Sequence, residues 1–550
     1  MRRQRGGTMV YVLMVVSMLL VMSLGAAALS MGGLARARSD QKNAIAFNAA
    51  QAVMEIGIYE TVVRLKGDYG NFTTYSGTVS STVDSIAPGC TATYTLTPAS
   101  GDSSFGWITA TVTYLGKTKS IRGSLSAKDL GIWNNAVFAG SGAAGQSING
   151  NVDMRGSVHV LGEGEPYVDT NGDGTWTRAE TFTDRNGNGV WDPGELFTDS
   201  NGDNVWTSAE PYNDINLNGT YDSPVIASAM SSSFSGGALI GNNYTGMDPA
   251  LEAQISASPK KNGIETLSSE LRVKHGKVSL DGTATVGQTG TIDGGTSKGT
   301  LDGVYVNDGW AGNKGASSVY SDNGTTNAYD IESLDVQMPL LSGVGAKTYV
   351  DASGTSWTNE ELYLNARSLT LPITTITATT AAFSYGPDTY GNSITFAPQT
   401  STTPAILNIT GVVKVADGFQ LGSNDTIRYS GNGSFYCPGT IKVDGNFRPA
   451  AGLSFPVTTR VGFIAKNSIK LASGAGSSQL TILGAFYAQN AITSQKQNTI
   501  AGTFVATTFD MGTNVPSVYQ VPALRTNLPP AMPGADPIIF LRLRGWRERI

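Results

Sequence analysis

Hydrophobic and polar positions change rhythm three times along the chain. Residues 9–34 form an uncharged, almost wholly apolar run, preceded by a leader over residues 1–8 that holds Arg2, Arg3 and Arg5. As a helix the run measures ~39 Å, enough to cross the ~30 Å hydrocarbon core of a bilayer. Charge returns at Arg36, yet a helical spacing continues through Ala46, Ala49, Ala50, Val53, Met54 and Gly57. Intervals of three and four lay one small, apolar stripe along a helix. The pattern predicts a transmembrane helix over 9–34 and its continuation as a helical stem over 35–66. From residue 67 the period falls to two. Thr91–Thr97, Trp107–Tyr114 and Ser120–Leu125 alternate as half-buried strands do, with Gly116-Lys117 between the last two. A small antiparallel β module is expected over 67–130.

After Gly131 short β-rich pieces recur, each followed by Gly, Asn or Asp, as in Gly156–Val160 and Ile409–Val415. Ile482–Ala488 is echoed by Ile500–Ala506, 18 positions later, and Gly462–Ala465 reads as a weaker copy 22 positions before Gly484. Such runs suit rungs that stack one on the next, with Ile, Val, Phe and Leu inward and Gly or Asn at the corners. The expectation is a parallel β-helix-like solenoid that starts over 131–164 and resumes over 223–521, with an antiparallel sandwich as the alternative. Asp248-Pro249 opens a short helix over Ala250–Ile255 as cap and first-turn proline. Residues 522–550 read as a Pro-rich, extended and then basic tail.

Composition adds exclusions. Charged residues are 15% of the chain, against ~25% in ordinary soluble domains, and Gly is 67 of 550. Long helical bundles are therefore out. A net charge of −6 does not point to nucleic acid. Two His and two Cys leave little for His- or Cys-based chemistry. Cys90 and Cys437 are expected as buried or free thiols, with a bridge between them as the alternative. His159, His275, Asp417, Asp425 and Asp444 are read as structural or turn residues, and no nucleophile elbow, P-loop or metal triad is present, so no enzyme is expected.

At the N-terminus, Arg5-Gly6-Gly7-Thr8-Met9-Val10, the apolar helix, Asn48-Ala49-Ala50-Gln51-Ala52 and Gly57-Ile58 resemble the first segment of PilX-type pilus assembly proteins. These are minor pilin-like components of type IV pilus systems, and the likeness covers residues 1–65. Major pilins are cut after a Gly and carry a Glu at the fifth mature position. Here the fifth residue after Gly6 or Gly7 is Tyr11 or Val12. The resemblance implies packing against other pilin-like subunits and a bacterial inner (cytoplasmic) membrane location. Together these readings give a mainly β fold class: a pilin-like transmembrane helix, an antiparallel β module, and a solenoid interrupted by the array described next. The basic leader keeps the N-terminus cytoplasmic by the positive-inside rule, so the bulk is exported and single-pass.

The sharpest signal is acidic. Residues 165–222 hold twelve Asp/Glu and two Arg, a net −10. Asp169, Asp184, Asp199 and Asp214 lie 15 residues apart, and each opens a twelve-residue frame of the EF-hand loop type. The first frame offers Asp169, Asn171, Asp173, Thr175, Thr177 and Glu180 at positions one, three, five, seven, nine and twelve. The second offers Asp184, Asn186, Asn188, Val190, Asp192 and Glu195. The third offers Asp199, Asn201, Asp203, Val205, Thr207 and Glu210, with Asn204 where the others carry Gly. The fourth offers Asp214, Asn216, Asn218, Thr220 and Asp222, but Val225 stands at position twelve, so this frame is expected weak or empty. Calcium (Ca2+) takes six to eight oxygens at about 2.4 Å, which such a turn supplies from alternate side chains, one carbonyl and a closing Glu. Three connector residues leave no room for flanking helices. Trp176, Trp191, Trp206 and Tyr221 fall at position eight, and these aromatics are expected to stack between ions. The array resembles calcium-stabilised stalks and dockerin-like loops of bacterial surface proteins.

The function expected is a membrane-anchored, exported structural protein of a type IV pilus-like assembly or the cell surface. The alternatives are an adhesin or envelope scaffold outside a pilus, and a β-helical carbohydrate-active enzyme. Expected partners are membrane lipid, pilin-like subunits and cell-surface glycans or proteins, without nucleic acid.

Overall fold

The uncharged run and the periodic stretch after it form one unbroken helix, α1, over Gly7–Gly67 in the computed structural model. The structure describes residues 7–549 except 69, 143–152, 162–164, 173–175, 215–220, 222–238, 257–266, 268, 280–284, 287–299, 307–309, 312–318, 322–335, 475, 477–478, 495 and 512–515. One unit comprises Met1–Leu130 with Pro537–Ile550, the other Gly131–Asp536.

In the first unit every side chain from Tyr11 to Leu34 is exposed, whereas Ala46, Ala49, Ala50, Val53 and Met54 are buried. The change follows the sequence: small residues at helical spacing let the backbone approach a sheet closely. That sheet is antiparallel, built from β1 (Tyr75–Thr78), β2 (Thr91–Ala99), β3 (Asp102–Tyr114) and β4 (Lys117–Asp129), with a C-terminal strand, Ile539–Arg549, beside β4. Tyr94, Leu96, Ile108, Ala110, Val112, Ile121 and Leu125 face the helix and share its core. At Gly57 a side chain would meet Ile108 Cδ1 at 2.7 Å and the Tyr94 ring at 3.0 Å. Leu115 and Gly116 both have positive φ, 45° and 78°, as the tight turn joining β3 to β4 demands. The expected extended tail is corrected here. Pro522–Thr526 forms a short 3-10 helix, and Ile539–Arg549 completes the sheet because its alternating Ile539, Leu541 and Leu543 match β4.

The second unit is mainly β. Its strands from Leu369 to Tyr519 pair parallel in long in-register ladders, except for antiparallel pairs at Phe383–Tyr385, Ser393–Ala397 and Ala405–Lys414. The sequence echo is a true register: Ile482 lies beside Ile500, Phe486 beside Phe504 and Ala488 beside Ala506. The weaker copy is displaced by one residue from expectation, since Gly462 pairs with Ala485 rather than Gly484. That register stacks Phe463 on Phe486 at 5.3 Å, and the column continues to Phe435 at 5.7 Å and Phe504 at 5.0 Å. The chain also enters the ladder mid-stack. Val137 pairs with Phe504 on one side and Val158 on the other, and Val158 pairs onward with Leu271. Residues Leu271–Ser321 contribute antiparallel pairs. Asp248 caps the short helix Pro249–Glu252 through the Ala250 amide. Cys90 and Cys437 are buried free thiols.

Candidate metal centre

Each described loop is wound by its first aspartate. Asp184 accepts from the amides of Gly187 (2.6 Å) and Gly189 (2.7 Å), and Asp199 from those of Gly202 (2.6 Å) and Asn204 (2.9 Å). Asp169 accepts from Gly172 at 2.5 Å. Position six turns left-handed, with φ 75° at Gly189 and 59° at Asn204. Asn is the non-glycine residue best suited to that region, so the substitution at Asn204 leaves the turn intact. Position four is left-handed too, at Gly172, Gly187 and Gly202 (φ 73–79°). Sequence reasoning passed over it, although the Asn-Gly or Thr-Asn-Gly run in each loop carries the signal.

Position three turns toward position nine. The Asn171 amide donates to Thr177 Oγ1 (2.8 Å), Asn186 to Asp192 Oδ2 (2.6 Å) and Asn201 to Thr207 Oγ1 (3.2 Å). In the second loop Asn188 also donates to Asp192, at 2.8 Å. Asp173 and Thr175 of the first frame, and Asn216, Asn218, Thr220 and Asp222 of the fourth, lie outside the described residues. Val190 and Val205 contribute exposed side chains, which leaves only their carbonyls for position seven.

The position-twelve glutamates are buried, but only one serves its own frame. Glu195 accepts from the amides of Arg185 (2.8 Å) and Asp192 (3.0 Å), positions two and nine of its own loop. Glu180 makes the same pair of contacts in the third loop, with Ser200 (2.7 Å) and Thr207 (3.1 Å). Glu210 makes them in the first loop, with Thr170 (2.6 Å) and Thr177 (2.9 Å). Glu180 and Glu210 thus reach loops other than the ones whose frames they end. The connectors explain the exchange. Phe182 bridges Phe197 and Tyr167 bridges Tyr212, both antiparallel, so each glutamate lies across from the partner connector's loop.

Main-chain amides hold the carboxyls of Glu180, Glu210 and Asp184 below their ordinary range. The Ser200 amide, against the opposing effect of burial, and then the Thr207 amide hold Glu180 below the ordinary range. At Glu210 burial pulls upward, and the amides of Thr177, Thr170 and Asn171 with the Thr170 hydroxyl outweigh it. Asp184 is lowered chiefly by the Gly189 amide. Buried anions call for counter-charge or a metal, and the segment's Arg residues number two against twelve acids. Among the described residues no three Asp, Glu, His or Cys side chains gather closely enough to hold a metal by themselves. The donor set therefore fits a hard cation only with the Asn, Thr and main-chain oxygens included, which is the mixture calcium takes.

The aromatics stack in a specific pairing. Trp191 stacks on Trp206 (5.1 Å, 8°) and Trp176 on Tyr221 (4.4 Å, 20°). Phe182, Phe197, Tyr167 and Tyr212 meet these rings edge-on.

Elsewhere, His159 is buried edge-on to Phe138 at 5.2 Å, and the side chain of His275 lies outside those described. Asp417, Asp425 and Asp444 fasten turns through the amides of Thr440, Ser423 and Gly474 respectively.

No family model matches this chain, and no curated protein matches it. Among solved structures, the crystal structure of the competence-associated pilin ComZ from Thermus thermophilus superposes with a TM-score of 0.48 and 16% identity, over 92% of this chain and 97% of that one. What the geometry itself defines is a mainly β chain on a helix long and apolar enough to cross a membrane.

Proposed function

We propose that the chain is a membrane-anchored, exported structural subunit of a type IV pilus-like assembly. A pilin-like helix and sheet carry a β-helix-like solenoid, which contains a calcium-stabilised loop array. The observation that carries this reading is the split within α1. Its residues Tyr11–Leu34 present an apolar surface with no sheet against it, while Ala46–Met54 are clamped to the unit's own sheet. An exposed apolar helix of this length belongs in lipid or against like helices. Arg2, Arg3 and Arg5 keep the N-terminus in the cytoplasm of a single-pass inner-membrane topology. The role is structural rather than catalytic, and the partners are lipid and pilin-like subunits along α1.

The ladder of parallel strands supports the solenoid reading, because stacked phenylalanines and repeated registers are what a coil-by-coil core requires. The buried glutamates Glu180, Glu195 and Glu210, each gripping the amides at positions two and nine of a loop, support calcium. Extracellular calcium modules bind at roughly 10⁻⁴–10⁻³ M, which suits an outward-facing compartment.

Washing membranes with carbonate tests the anchor, and a membrane-impermeant amine reagent added from outside tests the orientation. The full chain should stay in the pellet, with lysines beyond residue 35 labelled. Release of intact protein, or lysines beyond residue 35 that react only after the membrane is opened, would sink the reading.

A further inference from the structure

Charge is unevenly placed in the helix–sheet unit. Beyond residue 34, its residues 35–130 and 537–550 hold thirteen Lys/Arg and eight Asp/Glu, a net +5. One row crosses the sheet through Leu96, Ile108, Gly123 and Trp546, each the register partner of the next. The row meets α1 between Phe47 and Met54. The Trp546 ring lies 6.4 Å from that of Phe47, and a side chain at Gly123 would stand 3.6 Å from Met54. On the side of this row toward the apolar run lie eight of the cations and only three acids, Asp40, Asp84 and Glu548. On the other side lie five of each. The whole excess of positive charge therefore sits at one end of the unit.

Strand direction says which end that is. The C-terminal strand starts at Ile539, close to Gly70 just past the end of α1, and runs back to Trp546 beside Phe47. β4 is antiparallel to it, so the Leu115-Gly116 turn and Lys117 stand at the end facing the apolar run. The Ser100-Gly101 turn, between β2 and β3, stands at the opposite end. On α1 every residue from Tyr11 to Arg38 is exposed, and the covered stripe begins at Ser39 and continues through Lys42, Asn43 and Ala46. Ser39 is five residues past Leu34, or ~7.5 Å of helix. That is within about one Debye length, ~8 Å at physiological salt, so charges at this end act on a membrane surface beside it.

The turn carries a separate mark. Leu115 is left-handed, with φ 45°, in a two-residue hairpin loop where Asn would enter at little cost. Its side chain is 63% exposed. Neither the strained backbone nor the bare leucine serves the hairpin. A leucine flanked by Tyr114 and Lys117 is instead the composition of a contact with a bilayer interface.

We propose that this end of the sheet, with Leu115 at its tip and Arg36, Arg38, Lys42 and Lys117 at the same end, rests on the anionic phospholipid headgroups of the bilayer that α1 spans. The proposal rests on the anchor reading given above. Basic residues next to a span are drawn to anionic lipid, and the apolar tip adds burial in the interface. The contact holds the sheet in one orientation over the membrane, which a single helical span leaves free to rotate.

The test puts a fluorescent probe on single cysteines of the full-length chain in nanodiscs. Thr118→Cys stands beside the tip and Ser100→Cys at the opposite turn, both exposed positions. Cys90 and Cys437 are buried, and the unsubstituted chain gives the background labelling. The discs carry a nitroxide on the lipid headgroup as quencher, in phosphatidylcholine alone or mixed with phosphatidylglycerol. In the mixture the probe at 118 should be quenched several times more strongly than the probe at 100. The difference should shrink in phosphatidylcholine alone, in raised salt, and when Arg36→Gln, Arg38→Gln and Lys117→Gln are combined. Leu115→Asn separates contact from fold. The melting temperature should rise, because Asn accepts the left-handed turn, while quenching at 118 falls. Equal quenching at both positions, indifference to lipid charge, or quenching that Leu115→Asn leaves unchanged would overturn the proposal while the anchor stands. Quenching at 118 that differs from that at 100 only in discs holding two copies would assign this end to a second chain and overturn it as well. If the chain does not enter the discs at all, the anchor reading falls and the proposal with it.

Discussion

Asn204 takes a φ of 59°, in the left-handed region that few residues other than glycine enter cheaply, so the third loop keeps its turn. Glu180 reaches the loop of Asp199, a partner that spacing along a chain cannot name. Glu360 is a further residue whose environment only the fold discloses. It begins the helix Glu360–Arg367, behind the Asn359 cap, a position that ordinarily favours an ionised acid. Burial, with the Asp536 carboxylate adding to it, instead pushes Glu360 up to about 8. A carboxyl raised above its unfolded value of 4.5 costs nothing while both states are protonated. As pH rises past that value, the unfolded chain releases its proton and the folded chain does not, so stability falls until about pH 8. Glu360→Gln should therefore stabilise the second unit by on the order of 1–3 kcal/mol near pH 8 and by almost nothing near pH 4. Thermal melts at the two pH values check this, and an equal gain at both would contradict it.

At the scale of elements, α1 answers to two surroundings. The uninterrupted run and the stripe Ala46–Gly57 were both plain in the sequence, since a period of three and four needs no partner to be seen. β2, β3 and β4 were equally plain from their alternation. The parallel ladders were legible only where the echo was strong, at Ile482–Ala488 and Ile500–Ala506. At Gly462 matching by glycine failed by one residue, because phenylalanine stacking sets that register. The split in α1 can be measured. Ala50 is fully buried against the sheet, so Ala50→Arg would bury an unpaired charge and cost at least ~3 kcal/mol, enough to loosen the helix from the sheet. Gly57→Leu, which meets Ile108 and Tyr94, should cost about 1–3 kcal/mol. Leu13→Ala, in the exposed half, should leave the resistance of the sheet to protease unchanged. Limited proteolysis of the three variants side by side tests the division. A loss of sheet protection with Leu13→Ala would mean that the apolar half also supports the folded module.

At the scale of the whole molecule, the chain is organised as an insertion into a hairpin, and no local pattern announces it. β4 ends at Asp129, and the strand beside it begins at Ile539 with Asp129 as its register partner. Leu130 donates to Ile538 at 2.7 Å, which closes the pair at its open end. Lys119 and Glu548, 429 positions apart, meet across the same two strands. The second unit closes on itself in the same way: Trp133 Nε1 donates to Pro533 at 2.9 Å, and a side chain at Gly534 would strike Ile132 at 2.5 Å. Both units therefore have adjacent ends, the condition under which one domain tolerates another in a turn. Replacing 131–537 with a two-residue Asn-Gly turn should restore an ordinary hairpin between β4 and the C-terminal strand. The shortened protein should stay in carbonate-washed membranes, and its residues 67–130 should resist protease as they do in the full chain. Residues 131–536 expressed alone should in turn be soluble and melt cooperatively. If the shortened protein is degraded while the excised segment folds, the helix–sheet unit depends on its insert, and the hairpin is a consequence of the second unit's closure rather than a structure that stands by itself.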